Sequence, residues 1–138
     1  MLMEQEDRKP VIGLLGGSFN PVHIGHMMLA SYLAQWGYVD RVWLSLSPRS
    51  PLKDGDALLP DLKRLAMLTI AAKAAPLLDI CDIELSMPRP SYTINTLEVL
   101  RDRYPDLRFK LVIGSDNWRI FDRWRESQRI LDEFGVIV

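Results

Sequence analysis

The sequence predicts an α/β fold built on a parallel sheet. Short, wholly apolar runs of strand length recur along it, separated by longer stretches with helical apolar spacing. Glycine or proline closes most of these segments. Strand–helix alternation of this kind implies parallel strands joined by right-handed crossovers.

Each element is justified in turn. Val11 to Leu15 is a continuous apolar run before Gly16-Gly17, as expected for a buried parallel strand ending in a tight turn. Ile24 to Trp36 carries Met27, Met28, Ala30, Ser31, Leu33 and Ala34 in helical order, and Gly37 suits its C-terminal cap. Arg41 to Leu46 is a second strand. Ser47 to Pro60 holds three prolines and a glycine and reads as a long functional loop. Asp61 to Ala75 is a helix capped by Asp61 and stopped by Pro76. Leu78 to Leu85 is a third strand, Tyr92 to Tyr104 a helix, and Arg108 to Ile113 a fourth strand ending at Gly114. Short helices follow near Asn117 to Phe121 and Glu126 to Leu131, and Phe134 to Val138 begins a fifth strand.

Bulk properties exclude several function classes. The 138 residues suit one domain, and 48% apolar with 25% charged residues suffices for a core without disulfides or metal. A net charge of −1 provides no basic field for nucleic acid or a membrane surface. No apolar run is long enough to span a bilayer. The charged stretch 1–9 is no signal peptide and reads as a flexible tail, leaving 10–138 as the domain. Cys81, the single cysteine, cannot form an internal disulfide, so a cytoplasmic location is expected.

The most informative stretch runs from Gly16 to His26, between the first strand and helix: Gly16-Gly17-Ser18-Phe19-Asn20-Pro21-Val22-His23-Ile24-Gly25-His26. Glycines let the backbone approach a ligand and adopt positive φ, and the helix N-terminus attracts anions. Both histidines of the chain lie here, three apart, on one face of a first helical turn. Gly25 between them leaves room for a bulky triphosphate. Neither of the common glycine-rich phosphate loops, G-x-x-x-x-G-K-[ST] or G-x-G-x-x-G, is present.

This stretch resembles the G-G-x-F-x-P-x-H-x-G-H signature of the nucleotidyltransferase superfamily, with Asn20 where relatives often have Asp. The resemblance implies a Rossmann-like sheet of five parallel strands in order 3-2-1-4-5, with helices on both faces. It also implies attack on the α-phosphate of a nucleoside triphosphate, with His23 and His26 at the phosphates.

Later stretches resemble one branch, the bacterial nicotinate-nucleotide adenylyltransferases. Ser47-Pro48-Arg49-Ser50-Pro51-Leu52-Lys53 is similar to a proline-rich loop ending in a basic residue, which implies Lys53, and less strongly Arg49, near the phosphates. Lys63 to Met67 is similar to R-x-x-M, with Leu65, Met67 and Leu68 read as core. Pro90 to Leu97 resembles S-Y-T-x-x-T-L, which implies that Tyr92 and Thr93 border a pyridine ring. Gly114-Ser115-Asp116, with Trp124 eight residues on, resembles G-x-D followed by a stacking Trp. Asp116 would bind a ribose hydroxyl and Trp124 the flat ring. Phe121 is read as packing, and Trp118 is left open between the two.

The expected activity is therefore adenylyl transfer from ATP to nicotinate mononucleotide in NAD biosynthesis. His23, His26 and Lys53 would be catalytic. Gly16, Gly17, Ser18, Phe19, Gly114 and Asp116 would complete the ATP site, and Tyr92, Thr93, Asp116 and Trp124 the pyridine site. Mg²⁺ is expected to arrive with ATP on phosphate and water ligands, since the motif offers no carboxylate cage. Alternatives are a cytidylyltransferase, a pantetheine-phosphate adenylyltransferase, or a nucleotide-binding module without turnover. The family's later I-S-x-x-x-[IV]-R motif does not occur, so the chain is expected to be the N-terminal portion of a longer protein.

Overall fold

A computed structural model describes residues 8–17, 19, 24–48, 60–88 and 91–138. Five parallel strands form one sheet in the order β3-β2-β1-β4-β5, as expected. They are β1 (Val11–Gly17), β2 (Arg41–Leu46), β3 (Leu78–Cys81), β4 (Arg108–Val112) and β5 (Val136–Ile137). The helices are α1 (Ile24–Gln35), α2 (Asp61–Lys73), α3 (Thr93–Arg103), α4 (Ser115–Arg119) and the short α5 (Ser127–Arg129), which runs into a π-helical turn at Ile130–Phe134.

The central strand is apolar because helices cover both its faces. Leu15 packs with Ala30 and Leu33 of α1 and Leu68 of α2 on one face. Ile12 and Leu14 pack with Ile94, Leu97 and Leu100 of α3, and with Phe121 and Ile130, on the other. Gly37 ends α1 at φ +80°, with Tyr38 N–H bonded to Leu33 O and Gly37 N–H to Ala34 O, a Schellman closure.

Several boundaries differ from the sequence reading. Gly16 and Gly17 do not form a tight turn but continue β1, in register with Ser45 and Leu46. Positive φ among glycines occurs only at Gly37 and Gly135 within the described residues. Asp61 is not the cap of α2; Pro60 holds that position, and the Asp61 carboxylate turns to the buried Arg64 instead. The third strand stops at Cys81, and Ile83–Ser86 forms a 3₁₀ turn. The strand's last pair is Cys81 with Ser45 of β2, one residue before β2 itself ends at Leu46. Ile83 is buried within that turn, which accounts for the apolar pattern having read as strand. Met67 is exposed rather than core, while Leu68 is fully buried. Among the described residues no helix is long and apolar enough to cross a membrane.

Candidate active site

The segments after β1 and β4 leave the sheet toward opposite faces, α1 packing on one, and Phe121 and Ile130, which follow β4, on the other. Adjacent strands whose connections diverge in this way open a crevice at their carboxyl ends. A cavity of about 230 Å³ lies there, walled by residues from the ends of β1, β2 and β4 and by the first turn of α3.

Gly16 and Gly17 form the β1 part of the wall. A Cβ on Gly16 would meet nothing within 4 Å, so its missing side chain leaves open space. Phe19 has φ +43° and a buried ring, placing its side chain in the core rather than in the cavity. Any contact of Phe19 with a ligand falls to its backbone. His26, in the first turn of α1, is half-buried and sets its ring edge-on to Phe19, with centroids 4.9 Å apart. Ser18, His23, Arg49 and Lys53 lie outside the described residues.

At the start of α3, Thr93 and the buried Thr96 face the cavity. Tyr92 does not line it; the Arg125 guanidinium sits 4.1 Å over its ring. Such an arginine–tyrosine contact packs the ring face that a ligand would need. Ser91, just before, donates from Oγ to Glu84 Oε1 at 3.3 Å. Glu84 Oε2 accepts from Ser45 Oγ at 2.9 Å. Burial pushes the Glu84 carboxyl above its usual range, partly offset by these two hydroxyls.

At the β4 end, Gly114 lines the cavity and precedes α4. A Cβ there would lie 2.8 Å from Asp116 Oδ1, so the missing side chain makes room for the Asp116 carboxylate. Asp116 itself is exposed and stands off the cavity wall, where Asn117 is found instead. The aromatic cluster divides clearly. Phe121 is buried core, Trp118 stacks on its outer side at 5.5 Å and is 45% exposed, and Trp124 reaches the cavity. Trp124 is half-buried and tilted 52° against Phe121, which holds the indole in place.

The fold thus brings Gly16, Gly17, Thr93, Gly114 and Trp124 to one cavity and leaves Tyr92 and Asp116 off its wall. Ser45, Ser47, Glu84 and Asn117 line it without having been anticipated. Only Glu84 gave a signal, as an acid inside the apolar stretch Ile83 to Leu85. Arg64 was also missed as a structural residue: it is fully buried, pairs with Asp61, and donates to Ser47 O at 2.9 Å.

Comparison with known proteins agrees with this architecture. The cytidylyltransferase-like family matches residues 14–138. A probable nicotinate-nucleotide adenylyltransferase of Bacteroides thetaiotaomicron is 47% identical over 96% of this chain and 66% of its own length. The chain therefore spans about two thirds of that relative. A crystal structure from Vibrio parahaemolyticus, assigned as a nicotinate-nucleotide adenylyltransferase, superposes with TM-score 0.74 at 23% identity, over 93% of this chain and 76% of that one. The nicotinic acid mononucleotide adenylyltransferase of Plasmodium falciparum, complexed with NaAD, gives 0.72 at 19% identity, over 88% and 60%. With a family match over residues 14–138 and a 47% identical relative, this chain belongs to the cytidylyltransferase-like nucleotidyltransferase family.

Proposed function

We propose that this chain carries the nucleotide site of an adenylyltransferase joining ATP and nicotinate mononucleotide to give nicotinate adenine dinucleotide and pyrophosphate, a cytoplasmic step of NAD biosynthesis. The observation that carries the reading is one cavity lined both by a glycine-edged strand end, Gly16 and Gly17, and by Thr93 and the aromatic plane of Trp124. A flat ring with one polar substituent needs such a plane and a few donors. The 47% identical relative named for this activity supports it, as does the bound NaAD of the Plasmodium structure.

The nucleophile is the 5′-phosphate of the mononucleotide, already ionised at neutral pH, so no general base is required. The protein aligns that oxygen with the α-phosphate of ATP and neutralises charge on the departing pyrophosphate. His26, with His23 and Lys53, is assigned the second task; the backbone of Gly16 and Gly17 lets the phosphates approach. Among the described residues no group of three or more His, Cys, Asp or Glu side chains could hold a metal ion. Mg²⁺ is assigned to the triphosphate and water, where it would supply further charge neutralisation.

Incubating the protein with ATP and nicotinate mononucleotide, and following pyrophosphate and the dinucleotide by chromatography, tests the proposal. Product with this acceptor, and none with glycerol phosphate plus CTP or with phosphopantetheine plus ATP, is the expected result. ATP binding by calorimetry without pyrophosphate release would assign a nucleotide-binding role instead.

A further inference from the structure

Glu84 is the single charged side chain among the described residues that line the cavity. Buried charges in proteins are ordinarily paired with an opposite charge, because desolvation is costly. Among the described residues, no cation pairs with Glu84. Its partners are two neutral hydroxyls, Ser45 Oγ on Oε2 at 2.9 Å and Ser91 Oγ on Oε1 at 3.3 Å. These come from different elements, the fully buried Ser45 in β2 and the segment leading into α3. They fix the carboxylate's orientation without neutralising it. Each oxygen has a second lone pair, so the group retains capacity toward the cavity.

A ligand carrying only phosphates would be repelled by this carboxylate. A ring with a positive charge would be attracted. Trp124 and Thr93, assigned above to the pyridine ring, belong to the same wall system. A pyridine N-linked to ribose is a pyridinium, planar and with a positive ring even where a carboxylate substituent balances it, whereas the ring of a purine or pyrimidine base is neutral. We infer that Glu84 is a specificity-determining residue, the fixed counter-charge by which the cavity selects a nucleotide with a cationic pyridinium ring over one with a neutral ring. The inference rests on the proposed pyridine-nucleotide reading and adds the feature of the ring that is recognised.

The upward displacement of the Glu84 carboxyl by burial accords with a group that has no cation beside it among the described residues. Trp124 also favours a cationic ring through its π-face, so ring charge alone does not isolate Glu84. The two contributions separate in a cycle that varies ring charge and residue charge together.

The test is titration calorimetry of the protein and its Glu84→Gln variant with two ligands. One is nicotinate mononucleotide. The other is the 5′-phosphate of 3-carboxyphenyl C-riboside, planar and alike in shape but with a neutral ring. Glu84→Gln is expected to weaken the pyridinium ligand about tenfold, equivalent to about 1.4 kcal/mol, and to leave the phenyl ligand unchanged. Equal weakening of both, or of neither, overturns the inference and leaves Glu84 as scaffolding for Ser45 and Ser91. Should Glu84→Gln not fold, Ser91→Ala serves: it frees one carboxylate oxygen and should reduce the preference for the pyridinium ligand by about threefold, while an unchanged preference overturns the inference. Failure of the unaltered protein to bind either ligand overturns the pyridine-nucleotide reading itself. Binding of both with equal affinity overturns only the role of Glu84.

Discussion

The guanidinium of Arg64, wholly buried in α2, donates from Nη1 to the main-chain carbonyl of Ser47 at 2.9 Å. It thereby pins the helix after the proline-rich segment to the residue that leaves β2 and lines the cavity. The same guanidinium pairs with Asp61 one turn earlier. Removing it leaves a carbonyl and a largely buried carboxylate without this cation, so Arg64→Ala should destabilise the protein by about 3 kcal/mol. Arg64→Lys should recover only part of this, because an ammonium cannot reproduce the planar fork. Urea unfolding midpoints check both.

Trp124 reaches the cavity while Phe121 behind it is core. Trp124→Ala should therefore raise KM for nicotinate mononucleotide about tenfold or more, as expected for loss of about 1–3 kcal/mol of stacking. KM for ATP should change little, because the two substrates share no ring contact. Equal effects on both would make Trp124 a packing residue.

His26 is half-buried and meets Phe19 edge-on, so one side of its ring is packed. His26→Ala should lower kcat/KM for ATP by about 10²-fold, the scale of losing a charge-stabilising contact. Its far-ultraviolet dichroism should be unchanged. His23→Ala is expected to behave alike. A variant that unfolds while its folded fraction still binds ATP normally would make that histidine structural.

Two carboxylates predict opposite pH slopes in stability. Burial raises the folded Glu84 value above the ordinary 4.5, so between the two values the native state holds more protons than the unfolded chain. The corresponding stability is present in full below the ordinary value and fades as pH rises through the raised one. Glu84→Gln should abolish that loss. Glu133 is held down to about 2 by Arg129 and Arg101, so its contribution is present above 4.5 and is lost as pH falls toward 2. Glu133→Gln should flatten only this acid limb, and added salt should shrink the difference because the cluster is exposed. Unfolding midpoints of both variants across the acid and neutral range provide the comparison.

The strand–helix alternation and the parallel sheet were legible in the sequence because they depend on local chemistry. Continuous apolar runs mark strands covered on both faces, and Gly37 closes α1 as its lack of a side chain permits. Where one element's end depended on a distant partner, the sequence was misleading. The strand expected to reach Leu85 stops at Cys81 because the chain turns there to bury Ile83 in a 3₁₀ turn, and Asp61 forgoes its capping role for Arg64. The cavity wall was decided wholly by tertiary packing. Phe121, Trp118 and Trp124 are alike by composition, and only the turn from Phe121 to Arg123 sorts them into core, outer surface and site. Glu84, Ser45 and Ser91 lie up to 46 residues apart and meet only because β2, β3 and α3 converge at one sheet edge. Spacing along the chain records which residues share a helix turn or strand face. It does not record which strand ends become neighbours, and that adjacency is what makes a site.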